Sequence, residues 1–191
     1  MTVKMPSRRF TVDEYHRMIQ SGILREGEPL ELLEGWIVKK MARNPSHDLA
    51  LGLVEDTVGS LLPAGWFRRD QSAVTTSDSE PEPDVGIVRG KRRDFTHRHP
   101  GSADLGLVIE VSESSLDQDR TDKQRIYARA SIPIYWIVNL LEEQVEVYTN
   151  PTGDCDEPAY RTRTDYRRDQ EVPLVLDGVE VARIPVRDLL P

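Results

Sequence analysis

From Leu105 to Val111 the chain reads Leu-Gly-Leu-Val-Ile-Glu-Val. An apolar run of this kind is a strand buried on both faces, and such strands lie inside sheets that are covered on both sides. Within it stands one acid, Glu110. A carboxylate there is costly unless it is paired or bound to a metal. Upstream, Pro83-Asp84-Val85-Gly86-Ile87-Val88 opens a second apolar strand with a carboxylate at its start.

Residues two apart share a face of a strand, so Val108, Glu110 and Ser112 point together, as do Asp84, Gly86 and Val88. If the two strands are neighbours, Asp84 and Glu110 converge on one divalent ion. Hard cations such as Mg2+ take carboxylate and carbonyl oxygens. Lys123 lies on a helix that begins soon after Glu110 and shares a helical face with Tyr127 and Ala130. Two acids on adjacent buried strands with a lysine nearby form a constellation for metal-assisted hydrolysis. The competing reading has each acid capping a strand end or pairing with an arginine, and Lys123 as a solvated charge.

Around this centre the chain alternates helices and strands. Thr11-Val12-Asp13-Glu14 is a capping box for a helix to about Gln20, closed by Gly22. Leu30 to Met41 reads as a hairpin turning at Glu34-Gly35, with Glu31 embedded in its apolar start. Ser46 is a candidate cap for a helix from His47 to about Leu62, with Leu49, Leu53, Val54, Val58, Leu61 and Leu62 as its apolar face. Short strands are expected at Trp66 to Asp70 and Ala73 to Thr76, then the Asp84 and Glu110 strands. Asp117 or Asp119 is expected to cap a helix through Ala130. Strands follow at Ile134 to Leu140, Gln144 to Tyr148, Val172 to Leu176 and Val179 to Ile184, the last two joined at Asp177-Gly178. This order predicts one mixed α/β domain over 1–191.

Composition narrows the functional classes. Asp and Glu number 33 against 25 Lys and Arg, a net charge of −8, which argues against a broad electrostatic grip on nucleic acid but not against a local basic groove. The single Cys155 forms no internal disulfide, and the N-terminus lacks the apolar core of a signal peptide. The longest apolar run, Ile132 to Val138, is far below the roughly 20 residues of a membrane helix. These features point to a cytoplasmic protein with no membrane partner.

Glu31-Leu32-Leu33-Glu34-Gly35, His47, Pro83-Asp84-Val85, Glu110-Val111-Ser112-Glu113-Ser114-Ser115 and Lys123-Gln124-Arg125-Ile126-Tyr127 form an ordered set. In that order and spacing the chain resembles the Uma-type family of restriction-endonuclease-like proteins, from about Phe10 to Leu190. That family is similar to the PD-(D/E)xK nucleases, whose core is a mixed β-sheet flanked by helices. The resemblance implies a metal-dependent endonuclease acting on DNA with Mg2+ or Mn2+. Asp84 and Glu110 would be metal ligands, with the Val111 carbonyl as a third. Glu31 would be a further acid, and Lys123 would supply the lysine that the superfamily usually carries two residues after the second acid, where this chain has Ser112. A homodimer would let two sites act on two strands. The alternative is a non-catalytic binding or assembly module on the same fold.

Other residues carry less. His47 fits the family pattern and could line the cleft beside Tyr127, although a histidine at a helix start is as readily structural. His97, His99 and Cys155 lack zinc-ligand spacing. Between Arg89 and His99, Arg89, Lys91, Arg92, Arg93 and Arg98 stand against one acid. This loop joins the two acid-bearing strands and is expected near one end of the cleft, where it could contact phosphates or remain plain solvated surface.

Overall fold

The computed structural model describes residues 7–25, 27–41 and 43–191. The capping box holds as expected: Thr11 Oγ1 accepts from the Glu14 amide and Glu14 reaches back to the Thr11 amide, starting α1 (Val12–Gln20). Next come β1 (Leu30–Leu33) and β2 (Trp36–Lys39), an antiparallel hairpin. Its turn residues Glu34 and Gly35 have φ of +48° and +77°, the pair of left-handed conformations that a two-residue hairpin turn demands. Helix α2 (Pro45–Leu61) follows.

The central sheet has six strands in the order β3 (Trp66–Asp70), β4 (Val85–Arg89), β5 (Leu105–Ser112), β6 (Ile134–Asn139), β7 (Gln144–Pro151) and β8 (Tyr160–Arg167). All neighbours are antiparallel except β5 and β6. A parallel pair needs a crossover. Here it is a helical segment: α3 (Leu116–Gln118), a π turn over Asp119–Lys123, and α4 (Gln124–Arg129). A hairpin of β9 (Glu171–Leu176) and β10 (Val179–Pro185) follows, turning at Asp177-Gly178, and a 3-10 turn over Val186–Leu189 comes after it.

Every residue of β5 is buried, because both faces of the sheet are covered. On one side Ala50, Val54 and Val58 of α2, with Leu174 and Ile184 of the last hairpin, pack on Ile87, Leu107, Ile109 and Trp136. On the other, Leu33, Ile126 and Tyr127 pack on Val88, Val108, Tyr135 and Ile137. The fold is a mixed α/β architecture with a central mixed sheet between helices.

Several local expectations are corrected. The cap of α2 is Asn44, whose Oδ1 accepts from the His47 amide at 2.9 Å, with Pro45 in the first turn; Ser46 is helical. The buried stripe of α2 is His47, Ala50, Leu51, Val54 and Val58, while Leu49 is 55% exposed. A helix apolar on most sides can turn more than one face inward, and small Ala50 allows the closer approach. Ala73 to Thr76 is a loop making a single bridge from Thr75 to Gly101, since Pro81 and Pro83 interrupt any ladder beside it. Neither Asp117 nor Asp119 caps the crossover segment; Ser115 occupies that position. Strand β8 was not anticipated, because its charged sequence follows the solvated edge of the sheet.

Candidate active site

Strand register brings the two acids together. Val85 pairs with Ile109, so Asp84, immediately before β4, stands opposite Glu110. The Asp84 amide donates to Glu110 Oε2 at 3.3 Å, and the Val111 amide donates to Asp84 Oδ2 at 2.9 Å. On a strand the N–H and C=O of one residue point to the same edge, so the Val111 carbonyl also faces Asp84, past the first residue of β4.

Lys123 and Tyr127 reach the same carboxylate from the crossover segment. Lys123 Nζ donates to Glu110 Oε1 at 2.9 Å, and the Tyr127 hydroxyl donates to the same oxygen at 2.6 Å. Tyr127 is wholly buried. The π turn, a wider loop of helix often found at functional sites, includes Lys123 and is tied down around it. Arg120 grips buried Glu146, Ser112 Oγ donates to Asp119 Oδ2 at 2.6 Å, and Tyr135 donates to the Asp119 carbonyl. Ser112, at the place of the superfamily lysine, is fully buried and serves Asp119.

Glu31 lines the same cleft, where its Oε2 accepts from the Glu82 amide at 3.1 Å. His47 Nε2 lies 3.2 Å from Asp84 Oδ2; its buried Nδ1 has no hydrogen-bond partner among the described residues. The cleft offers about 70 Å³, room for an ion and a water or two. Its lining sets Glu31, Glu82, Asp84, Glu110, Glu113 and Asp119 against Lys40, Arg43 and Lys123. Asp119, read from sequence as a cap, is thus a member of the site. Its spacing of four from Lys123 on one helix was the available signal.

This surplus of acid sets the protonation behaviour. Burial, with Asp119 and Asp84 close by, pushes Glu110 above the usual carboxylate range, despite Lys123 and Tyr127. Burial alone would lower Lys123, but Glu110, Glu31 and Asp119 outweigh it and keep the ammonium charged. For Asp84, burial is outweighed by the His47 hydrogen bond and charge, the Val111 amide and Lys123, which hold it below its ordinary value. Among the described residues no three His, Cys, Asp or Glu side chains converge to hold a metal ion. Asp84 and Glu110 stand opposite each other in register, and the third donor of the expected set is a backbone carbonyl. Those hard oxygen donors and the acid surplus fit a divalent cation.

The basic loop is not at this cleft. It joins the last residue of β4 to the first of β5, and Asp84 lies at the other end of β4, about 16 Å away along five strand residues. In an antiparallel pair, the connection and the start of the first strand are at opposite ends. Arg89 pairs with Asp177 and lies over Trp66, Arg92 over Phe67, and Arg98 pairs with Asp104 at 2.6 Å. Neither Lys91 nor Arg93 lines the acid cleft either. His97 and His99 line a separate cleft, and Cys155 is exposed and free.

A helix-flanked mixed sheet that ends in opposed carboxylates is the architecture of the restriction-endonuclease-like proteins. The chain is similar in structure to a crystal structure described as that of a "putative nuclease" from Anabaena variabilis. The TM-score is 0.66 over 94% of this chain and 97% of that one, at 17% identity, a likeness of fold. Residues 12–186 match the Uma2 family, described as "Putative restriction endonuclease", and the chain belongs to that family. No curated protein matches the sequence. Among the described residues no helix is long and apolar enough to cross a membrane.

Proposed function

We propose that the protein is a metal-dependent endonuclease hydrolysing phosphodiester bonds in DNA. The observation that carries the reading is the convergence of Asp84, Lys123 and Tyr127 on Glu110, a carboxylate 3% exposed between two strands. Asp84, Glu110 and the Val111 carbonyl would hold Mg2+ or Mn2+, which supplies Lewis acidity at the phosphate. Lys123 orients the attacking water and offsets charge as it develops on the phosphoryl oxygens, from a buried position where its field is little screened. Tyr127 keeps Glu110 oriented by its hydroxyl. His47 steadies Asp84, and Glu31, held by the Glu82 amide, adds a negative wall that keeps Lys123 protonated. Acting on two strands would be served by a homodimer with two such sites.

The test is metal binding and cleavage in variants of like size. Asp84→Asn and Glu110→Gln should each abolish Mn2+ binding by calorimetry and Mg2+-dependent cleavage of DNA, while circular dichroism shows the fold intact. Unchanged Mn2+ affinity in both variants would remove the site assignment. A second reading, a non-catalytic binding or assembly module, is favoured by the closed pairing of Lys123 with Glu110. It requires that wild type itself bind no Mn2+ in an Asp84-dependent way.

A further inference from the structure

A second cleft, about 820 Å³ and open to solvent, lies on the Glu110 face of the sheet between α1, β3 and the 95–101 loop. Arg69 of β3 contributes its side chain there. Strand pairing sets Arg69 opposite Gly86, which is opposite Val108, so Arg69 is on the face of Glu110, one step back along the strands. From two residues of rise and one strand spacing, Arg69 is about 8 Å from Asp84 between Cα positions. The same chain segments wall both clefts: Gln71 and Glu82 line the first, Arg69 and Glu80 the second.

Arg69 differs from the other partly buried arginines. Arg68, Arg120, Arg125 and Arg129 are each saturated by carboxylates. Among the described residues Arg69 has no ion pair; its one contact is a long hydrogen bond of 3.4 Å to His99 Nδ1. Since a guanidinium only donates, His99 Nδ1 accepts, and its proton is on Nε2. Burial keeps His99 below its usual range, aided by Arg69 and His16 and opposed by Glu80 and Glu82, in keeping with that neutral state. The carboxylate of the cleft, Glu80, is only 4% exposed and is taken up by His16 Nε2 at 2.8 Å and Thr75 Oγ1 at 2.7 Å. Arg92, stacked over Phe67 outside the cleft, lies near enough to add to the positive field at Arg69, and the other cation of the lining, Arg98, is paired with Asp104. The cleft therefore presents the N–H donors of a guanidinium that has no carboxylate partner among the described residues, while its one lining carboxylate, Glu80, is already hydrogen-bonded.

We infer that this cleft is a phosphate subsite for the nucleic-acid strand whose scissile bond lies between Asp84 and Glu110, with Arg69 as its anchor and His99 beside it. The inference rests on the endonuclease reading for the identity of the strand. Successive phosphates of a strand rise about 3.4 Å along the axis and also turn around it, so their straight-line separation is roughly twice that rise. About 8 Å therefore places the subsite near the phosphate next to the scissile one. The planar guanidinium suits two phosphate oxygens at once, and the His99 Nε2–H is a further donor.

The test uses the full chain in Ca2+, with labelled single-stranded and duplex DNA read by anisotropy at several salt concentrations. Arg69→Gln should weaken binding about tenfold and lower the salt slope by about one counterion, while Arg161→Gln, the same charge loss on exposed β8, should do neither. In parallel, inorganic phosphate should shift the imidazole resonances of His99 and His16 in wild type and not in Arg69→Gln. Equal affinity and slope in the two variants would overturn the subsite. So would a wild type that binds no DNA, and phosphate shifts without an Arg69 effect on DNA would overturn the nucleic-acid assignment in favour of a small anion. Arg69-dependent DNA binding in a protein with no Asp84-dependent Mn2+ binding would instead sink the endonuclease reading and leave the subsite standing.

Discussion

Along β5, Leu107, Ile109 and Val111 point beneath α2, whereas Val108, Glu110 and Ser112 point toward the crossover segment. The first side is hydrocarbon, filled by Val54, Val58, Leu174 and Ile184. The second buries Glu110, Asp119, Lys123 and Glu146. What makes that tolerable is a layer of tyrosines. Tyr127, Tyr135, Tyr148 and Tyr160 pack ring on ring at 5.0 to 6.2 Å between centroids, and each hydroxyl finds an acceptor: Glu110, the Asp119 carbonyl, Glu146 and the Ile132 carbonyl. Tyrosine offers an apolar body and a polar tip, so one layer both fills space and satisfies charge. Along one strand, then, a wholly apolar face alternates residue by residue with a face whose apolar core also holds the buried charges of the candidate site.

The contrast is most exposed at neighbouring positions. Lys123→Ala should slow single-turnover cleavage in Mg2+ by about 10²–10³-fold, equivalent to about 3–4 kcal/mol. Ile109→Val, facing the other way, should leave the rate unchanged. Equal rates for Lys123→Ala and wild type would make the lysine a structural charge and blur the division of faces.

Next in size, Ile109→Ala should lower stability in urea by about 3 kcal/mol through the cavity beneath α2, with calorimetric Mn2+ affinity unaltered. A parallel loss of metal affinity would mean that the two faces are mechanically coupled.

At the rim of the polar face, Glu34 ties the β1–β2 turn to Arg125 and Arg129 of α4. The Arg125 hydrogen bonds above all, with Arg129, hold its carboxyl at about 2, against an ordinary 4.5. A depressed acid stabilises the folded state above its unfolded value and loses that contribution as pH falls toward its folded one. Glu34→Gln should therefore cost about 2 kcal/mol at pH 7, allowing for solvent at the half-exposed Arg125. Between pH 4.5 and 2 the urea midpoints of variant and wild type should converge. A gap independent of pH would show that shape, not charge, holds the turn.

The smallest effect belongs to the apolar side. Asn44→Ala should cost about 1 kcal/mol by uncapping α2, and Ser46→Ala almost nothing. The reverse ranking would restore Ser46 as the cap.

Much of this was legible without coordinates. The run from Leu105 to Ser112, the capping box at Thr11, and the turns at Glu34-Gly35 and Asp177-Gly178 are local patterns, and all form where expected. Asp84 and Glu110 stood out because carboxylates interrupt apolar strands, and the register sets them opposite each other. The Lys123 helix was visible, but not its π turn nor the burial of Asp119, since both depend on Ser112, Tyr135 and Glu146 from three strands.

The sequence by itself determined most of the strands and helices, because side-chain periodicity and turn chemistry act between near neighbours along the chain. It also determined that Glu110, set inside an apolar strand, had to be buried and therefore partnered. Tertiary structure alone decided the rest. The antiparallel direction of β4 and β5 carried the Arg89–His99 loop to the far end from Asp84. Packing on Ala50 selected the inner face of α2, and pairing with β7 made a strand of the charged Tyr160–Arg167 segment. Convergence of Lys123 and Asp84 on Glu110, and of Arg69 and His99 on the second cleft, depends on strand direction and register. Those are relations between distant segments, and no window of neighbouring residues contains them.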